Sequence, residues 1–531
     1  MTSTSRPCSS SPTMRNVIVG TGPAAAAAIL ALADDPAQQI TVVDLGERLP
    51  ADTTAAVDRM SAMEPTEWLA ADRELVSAQP VRITGSALPE KRAYGSNHMF
   101  VDRGQQLGLN MPDRGNEASV SAAVGGFSTV WGAQIMPFSR ATFDRWPFGW
   151  DAIEPHYRAV LKEVPLAGEE DDYAEYFPLI DARAPLPPVS PRTTDVLERY
   201  RLHRSAVRAK GIVVGKARLA VDATSCRQCG LCMTGCPYSL VYSSRQTVDR
   251  LVATGRVRLL SRILVTGVEQ PPGSSPSVRG IDLVDGRRVR FDADRVFVGA
   301  GGLGSTRIAL NSLTTPPPEV DLQESVQFLI PFVSRHGTGD PRGRNDLTLN
   351  QFNLLLTFDD DAYTTSQIHC YPYNPAVAAA LPGWLPTGYA GAVLGRVTAA
   401  LGYLPSWESP KMRLELGQRR QDSLPEVTVR VVADRHPAML RAVLRRLCGV
   451  GPKLDLYPVL PLVRQSGPAK SYHFGSTFPH GSGSDLLGRI GDLHDVHLID
   501  GSVLPSVPAT TFTLTVMANA HRIVTESRHV V

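Results

Sequence analysis

Short apolar runs and one small-residue helix pattern set up the start of the chain. Asn16-Val17-Ile18-Val19 and Ile40-Thr41-Val42-Val43 are brief, mostly apolar runs, and Ala24 to Ala33 is an unbroken stretch of helix-forming residues between them. Runs this short, bounded by turn residues, predict buried parallel strands, and the Ala-rich stretch predicts the helix that joins them. Arg295-Val296-Phe297-Val298 predicts a further strand, running into a helix that ends near Asn311. Val427 to Val432 alternates partly and fits a strand of an antiparallel sheet. Asp181 to Pro191 is Pro-rich and predicts an extended crossover. Between Tyr373 and Leu404 the chain is strongly apolar, broken by Pro382, Trp384 and Pro386, with Arg396 as its one formal charge. Packing of two short helices accounts for this stretch, and a hydrophobic portal or membrane-surface contact is the sharper alternative.

Length and composition narrow the class. A chain of 531 residues exceeds what one hydrophobic core serves, so two domains are expected. Hydrophobic residues at 43% and charged residues at 20% fit a globular protein, and a net charge of +2 argues against a nucleic-acid partner. No apolar run reaches the roughly 18 residues of a membrane span, so no transmembrane segment is expected. Residues 1–13 are Ser-rich without an apolar stretch and suggest a disordered lead before Met14, consistent with a cytoplasmic protein.

The glycines add chemistry to the first strand–helix–strand unit. Gly20 permits a tight turn, and Gly22 lets the backbone approach a pyrophosphate. Pro23 and Ala24 open the helix, whose free N–H groups favour an anion, and Ala25 still permits close helix–strand packing. Asp44 follows the second strand, twenty-four positions after Gly20, placed to accept hydrogen bonds from ribose hydroxyls. This predicts a dinucleotide site and disfavours NADP; the loop alone leaves FAD and NAD open.

Later segments favour FAD. Gly125-Gly126-Phe127-Ser128-Thr129-Val130-Trp131-Gly132 is a second glycine-rich loop, and Ala300-Gly301-Gly302-Leu303-Gly304-Ser305-Thr306-Arg307 follows the later strand. The C-terminal region reads Val496-His497-Leu498-Ile499-Asp500-Gly501-Ser502-Val503-Leu504-Pro505, then Thr511-Phe512-Thr513-Leu514-Thr515-Val516-Met517-Ala518. Together with Trp146-Pro147 and Pro155-His156-Tyr157, these segments resemble the glucose–methanol–choline (GMC) oxidoreductases over most of the chain. The resemblance implies an α/β fold with an FAD-binding Rossmann-like domain and a second α+β substrate domain built on an antiparallel sheet. The FAD-binding domain would comprise 14–146, 204–312 and 467–531, and the substrate domain 147–203 and 313–466. It implies FAD contacts at Gly20, Gly22, Pro23, Ala24, Asp44, Gly125, Gly126, Ser128, Thr129, Trp131, Gly132, Ala300, Gly301, Arg307, Asp500, Gly501, Thr511, Phe512 and Thr513. Where some relatives attach FAD through a His, this chain offers Thr129-Val130, so the FAD is expected to be noncovalent.

The same resemblance implies a substrate with a CH–OH group, an alcohol or sugar-like small molecule, and an external electron acceptor. His473 matches the family's first catalytic His and suits the general base, because imidazole titrates near neutrality. The second catalytic position, His or Asn in the family, is Thr511 here, and Phe512 replaces a Pro. A Thr hydroxyl can hydrogen-bond a substrate oxygen but is no base at neutral pH. Thr510 or Thr511 could instead cap the last helix.

Cys226, Cys229, Cys232 and Cys236 form a C-x2-C-x2-C-x3-C-P run, the bacterial ferredoxin spacing. An iron–sulfur cluster (4Fe-4S or 3Fe-4S) is the first reading, followed by a metal-free loop and zinc. A cluster would carry electrons from flavin to an acceptor. Two further functions stay open: a redox-neutral lyase or isomerase on the same fold, motivated by Thr511, and an electron-transfer subunit that needs a partner.

Overall fold

In the computed structural model, residues 13–78, 92–100, 118–358, 363–373, 387–418, 425–433 and 438–529 are described. Most of the expected lead, residues 1–12, and the stretch holding Pro382, Trp384 and Pro386 lie outside them. Five strands form a parallel sheet: β1 (Met14–Val19), β2 (Gln38–Val43), β3 (Arg258–Leu260), β4 (Arg295–Val298) and β5 (Val496–Leu498), in the order β5-β4-β1-β2-β3. The central β1 ends in four buried residues, the signature of a strand covered on both faces. Helix α1 (Pro23–Ala33) connects β1 to β2 and is buried from Ala24 to Ile29 and at Leu32. Its small side chains let it lie close to the sheet and against α3 (Thr513–Ser527), the C-terminal helix. Helix α2 (Gly302–Ser312) follows β4. A three-stranded antiparallel meander, Ile263–Glu269, Ser277–Asp282 and Arg288–Asp292, joins β3 to β4.

The second large sheet is antiparallel. Its neighbours run Ile212–Lys216, Phe352–Thr357, Thr365–Tyr371, Val397–Tyr403 and Gln327–Val333, with Tyr457–Pro458 and Arg464–Gln465 at the far edge. One face is apolar: Phe352, Leu354, Leu356, Ile368 and Cys370 pack with helices Pro191–Arg208 and Ala438–Leu454 into a core of their own. Ile212–Lys216 thus pairs with the antiparallel sheet, although it lies inside 204–312. Val427–Ala433 pairs antiparallel with Lys411–Leu416, in a smaller sheet that continues through Glu319–Glu324 to Phe474–Gly475. The fold is therefore mixed α/β, with a parallel nucleotide-type sheet and an antiparallel sheet beside it. Among the described residues no helix is long and apolar enough to cross a membrane.

Candidate active site

The turn after β1 is built for close approach. Gly20 has φ of +102°, and a Cβ there would sit 2.4 Å from the Gly299 carbonyl oxygen at the end of β4. Gly22 differs: a Cβ there would meet nothing within 4 Å, so its outer side is open in front of the α1 N-terminus. Pro23 takes the first helical position, where no N–H is needed. The loop around Gly125 and Gly126 closes over this turn. The Gly125 N–H donates to Thr21 Oγ1 at 3.0 Å, and a Cβ on Gly126 would lie 3.2 Å from the Gly22 Cα. Ser128 Oγ donates to the Gly125 carbonyl at 2.6 Å, and Ser244 Oγ donates to the Thr21 carbonyl at 3.0 Å. Asp44 accepts from Thr21 Oγ1 at 3.0 Å and from the Gly46 N–H at 2.6 Å. Burial pushes its carboxyl up to about 7, against the pull of those donors. Two donors leave part of the carboxylate's acceptor capacity for hydroxyls.

Asp500 is held at the other side of the sheet. It accepts from Ser305 Oγ at 2.5 Å and from the Ser502 N–H at 3.0 Å, and Ser305 Oγ also receives the Ala300 N–H. Burial raises its carboxyl pKa, while these donors work to lower it. Backbones crowd here: a Cβ on Gly475 would meet the Gly501 carbonyl at 2.0 Å, and one on Gly501 would meet the Phe512 ring at 3.0 Å. Phe474–Gly475, the Asp500 turn and the start of α3 are thus pinned together. Two of the expected FAD contacts also bond within the protein: Arg307 is buried within α2 and donates to the Pro425 carbonyl, and Trp131 Nε1 donates to the Tyr242 carbonyl at 2.8 Å.

His473 lies between two rings. It stacks on Tyr403 at 5.0 Å and tilts against Phe512 at 5.1 Å. Its Nδ1 is buried with no hydrogen-bond partner, and burial pulls its pKa down to about 4, so the ring is neutral at pH 7. Thr511 Oγ1 is likewise buried and unpartnered. The cap of α3 is Phe512, with no side-chain hydrogen bond, so neither Thr510 nor Thr511 serves as the cap. Thr510 instead donates to Gln367 Oε1 at 3.0 Å.

That bond leads to a group that sequence reasoning missed. The second face of the antiparallel sheet carries Asn353, Gln367, His369 and Tyr403 on neighbouring strands. Gln134 and Asn350 lie against them. In the sequence, Gln367-Ile368-His369-Cys370 reads as an ordinary half-solvated strand. The neighbouring strands Phe352–Thr357 and Val397–Tyr403 do not alternate, and the alternation of Gln367 to Cys370 does not reveal that its polar side is buried.

The cluster expected at the cysteine run is not supported. Cys229 is buried and Cys226, Cys232 and Cys236 are half-buried, all with free thiols. Among the described residues no three His, Cys, Asp or Glu side chains are grouped to hold a metal ion. The loop packs instead: Cys229 and Leu231 join Ala56, Met60 and Val76 in a small core, and Tyr94 Oη donates to the Cys236 carbonyl at 2.8 Å. Burial raises the Cys229 thiol to about 11, which keeps it protonated. An iron–sulfur cluster at this loop therefore finds no support among the described residues.

No family model and no curated protein matches the sequence. Solved structures do. A pyridoxine 4-oxidase from Mesorbium loti superposes with a TM-score of 0.61 at 13% identity, covering 97% of this chain and 99% of that one. A formate oxidase of Aspergillus oryzae RIB40, an enzyme with FAD modification, gives 0.62 at 11% identity over 98% and 99%. The chain has the GMC fold. The open side of Gly22 and the acceptor capacity left on Asp44 are able to receive the pyrophosphate and ribose of a dinucleotide such as FAD, and His473 Nδ1 and Thr511 Oγ1 are unpartnered polar atoms at the start of α3.

Proposed function

We propose that the chain is an FAD-dependent oxidoreductase acting on the CH–OH group of a small molecule. The observation that carries this reading is the neutral His473 ring, held between Tyr403 and Phe512 with a buried, unpartnered Nδ1, at the foot of α3. FAD would be held noncovalently by the Gly20–Gly22 turn, the α1 N-terminus, Asp44, the Gly125–Gly126 loop and the Asp500–Gly501 turn. When bound, it supplies a hydride acceptor. His473 takes the hydroxyl proton on Nδ1, a role open to it because burial keeps the ring unprotonated. The two flanking rings fix its plane. Thr511 donates its hydroxyl proton to the substrate oxygen and orients it, without acting as a base. The Cys226–Cys236 loop plays no part in this scheme.

Anaerobic addition of substrate to the purified holoprotein tests the reading. One or more members of a panel of primary alcohols, secondary alcohols and sugars should bleach the flavin absorbance. A panel without any bleaching, or full activity with a flavin that cannot be reduced, would overturn it and favour a redox-neutral reaction.

A further inference from the structure

The segment that carries His473 is held in a shape that its own residues resist. Ala469 and Tyr472 stand at φ of +64° and +59°, and Ser476 beyond them at +57°. Residues with a Cβ rarely take these left-handed values, and they persist only where the surroundings hold them. The holding group is Glu324, the last residue of the strand Glu319–Glu324, which is fully buried at 0% exposure. One carboxylate oxygen accepts from the Ala469 N–H at 2.6 Å and the other from the Ser471 N–H at 3.1 Å. A carboxylate suits two converging N–H donors, because it accepts on both oxygens. Burying such a group is costly unless donors meet it, so the carboxylate and the segment hold each other in place.

From there the bonds run on to His473. Ser471 Oγ accepts the His473 N–H at 3.0 Å, and the His473 carbonyl accepts the N–H of Ser325, the residue after Glu324, at 2.9 Å. Phe474, the residue after His473, lies opposite Glu324 in the sheet register. The Tyr472 ring, next to His473, packs 4.8 Å from Phe127 of the Gly125–Gly126 loop. The main chain of His473 is thus fixed from the Glu324 side, and its imidazole falls between Tyr403 and Phe512.

We propose that Glu324 is a positioning residue for His473: its carboxylate fixes Ala469 to Ser471, and through them the place of the imidazole that takes the substrate proton. This rests on the reading of the chain as a flavoenzyme that oxidises CH–OH groups. These bonds reach His473 through the main chain, so the part of Glu324 is placement and not proton transfer. Displacing a positioned group by about 1 Å costs roughly 10²-fold in rate.

The test compares Glu324→Gln with the parent, both loaded with FAD. Gln keeps the shape but turns its amide N–H groups toward one of the two backbone donors. Two signals are read. The first is anaerobic flavin reduction by a substrate that bleaches the parent, giving kcat and KM. The second needs no turnover: the NMR signal of the His473 ring, isotope-labelled at Cε1 and assigned by its loss in His473→Gln. The ring currents of Tyr403 and Phe512 displace this signal from that of a free imidazole. Glu324→Gln should lower kcat about 10²-fold at unchanged KM and return the His473 signal toward the free-imidazole position. Leu322→Ala, a buried change on the same strand, should lower the thermal midpoint and leave kcat and the His473 signal as in the parent. If Glu324→Gln does not fold, Glu324→Asp draws the carboxylate back by one methylene and should move both signals the same way by less. An unmoved His473 signal overturns the proposal whatever happens to kcat, and so does an unchanged kcat. Leu322→Ala moving both signals as far also overturns it, since the effect is then a general loosening of the sheet. If nothing bleaches the parent flavin, the redox reading falls, and the His473 signal alone still decides whether Glu324 holds the ring.

Discussion

At the residue scale, His473 and Asp44 are shifted by the same cause in opposite directions. Burial disfavours the charged form of each, lowering the imidazole to about 4 and raising the carboxyl to about 7. For His473 the neutral ring is the active form, so kcat/KM should hold flat from neutrality down and fall only as pH drops through about 4. His473→Ala should reduce kcat by about 10² to 10⁴-fold, the usual worth of a positioned base, while flavin content stays unchanged. A profile that already breaks near 6.5 would place His473 in water rather than between the two rings. For Asp44 the ionised form is the better acceptor for ribose hydroxyls, so FAD affinity should weaken as pH falls through about 7. Asp44→Asn should bind FAD more weakly and lose that pH dependence, measured by FAD titration of the stripped protein at pH 6 and 8.

At the element scale, the legible features were those whose function lies in consecutive residues. The turn from β1 into α1 was visible because Gly20, Gly22 and Asp44 each answer a local geometric need, and the strands and helix around them kept close to their expected limits. His473 could be singled out from its place before the Asp500 block. The amide face could not, because Gln134, Asn353 and Gln367 meet only through strand register and a loop 216 residues from Asn350. The cysteine run shows the converse: its spacing suits convergent thiolates, while in the fold Cys229 and Leu231 pack against Ala56, Met60 and Val76, a contact that spacing does not reveal. Purified protein should accordingly contain no stoichiometric iron, and Cys229→Ala should cost stability through lost packing while leaving flavin reduction intact. An iron content of three or four per chain would reverse this. The two glycines of the turn give a paired expectation. Gly20→Ala, with positive φ and a backbone contact, should cost about 1–3 kcal/mol and release FAD. Gly22→Ala, with φ of −67° and open space beyond, should leave the thermal midpoint of the FAD-free protein unchanged and still weaken FAD binding.

At the scale of the whole molecule, buried histidines tie the stability of the parallel-sheet half to pH. His497 lies on β5, 3% exposed, stacked on Phe297 at 5.1 Å, with Nδ1 donating to the Leu487 carbonyl at 2.9 Å. His480, 4% exposed, donates from Nδ1 to the Asp485 carbonyl and accepts at Nε2 from Asn519 of α3. Burial lowers both to about 4. In the unfolded chain they titrate near 6.5. Between those values the unfolded state binds more protons, so the stability they confer is complete above pH 6.5 and is lost as pH falls toward 4. Each contributes a slope of up to about 1.4 kcal/mol per pH unit in that window. Asp44 acts in the opposite sense, because its raised carboxyl takes a proton in the folded state first and favours folding at low pH. The net curve therefore mixes both signs, and a single substitution separates them. His497→Gln keeps a donor for the Leu487 carbonyl and removes the titration. At pH 7.5 it should be less stable than the parent, through lost stacking on Phe297. The deficit should shrink as pH falls from 6.5 to 4.5, measured as the difference in urea midpoints at each pH. Parallel curves would mean that His497 is charged in the folded protein, which its apolar surroundings on β5 argue against.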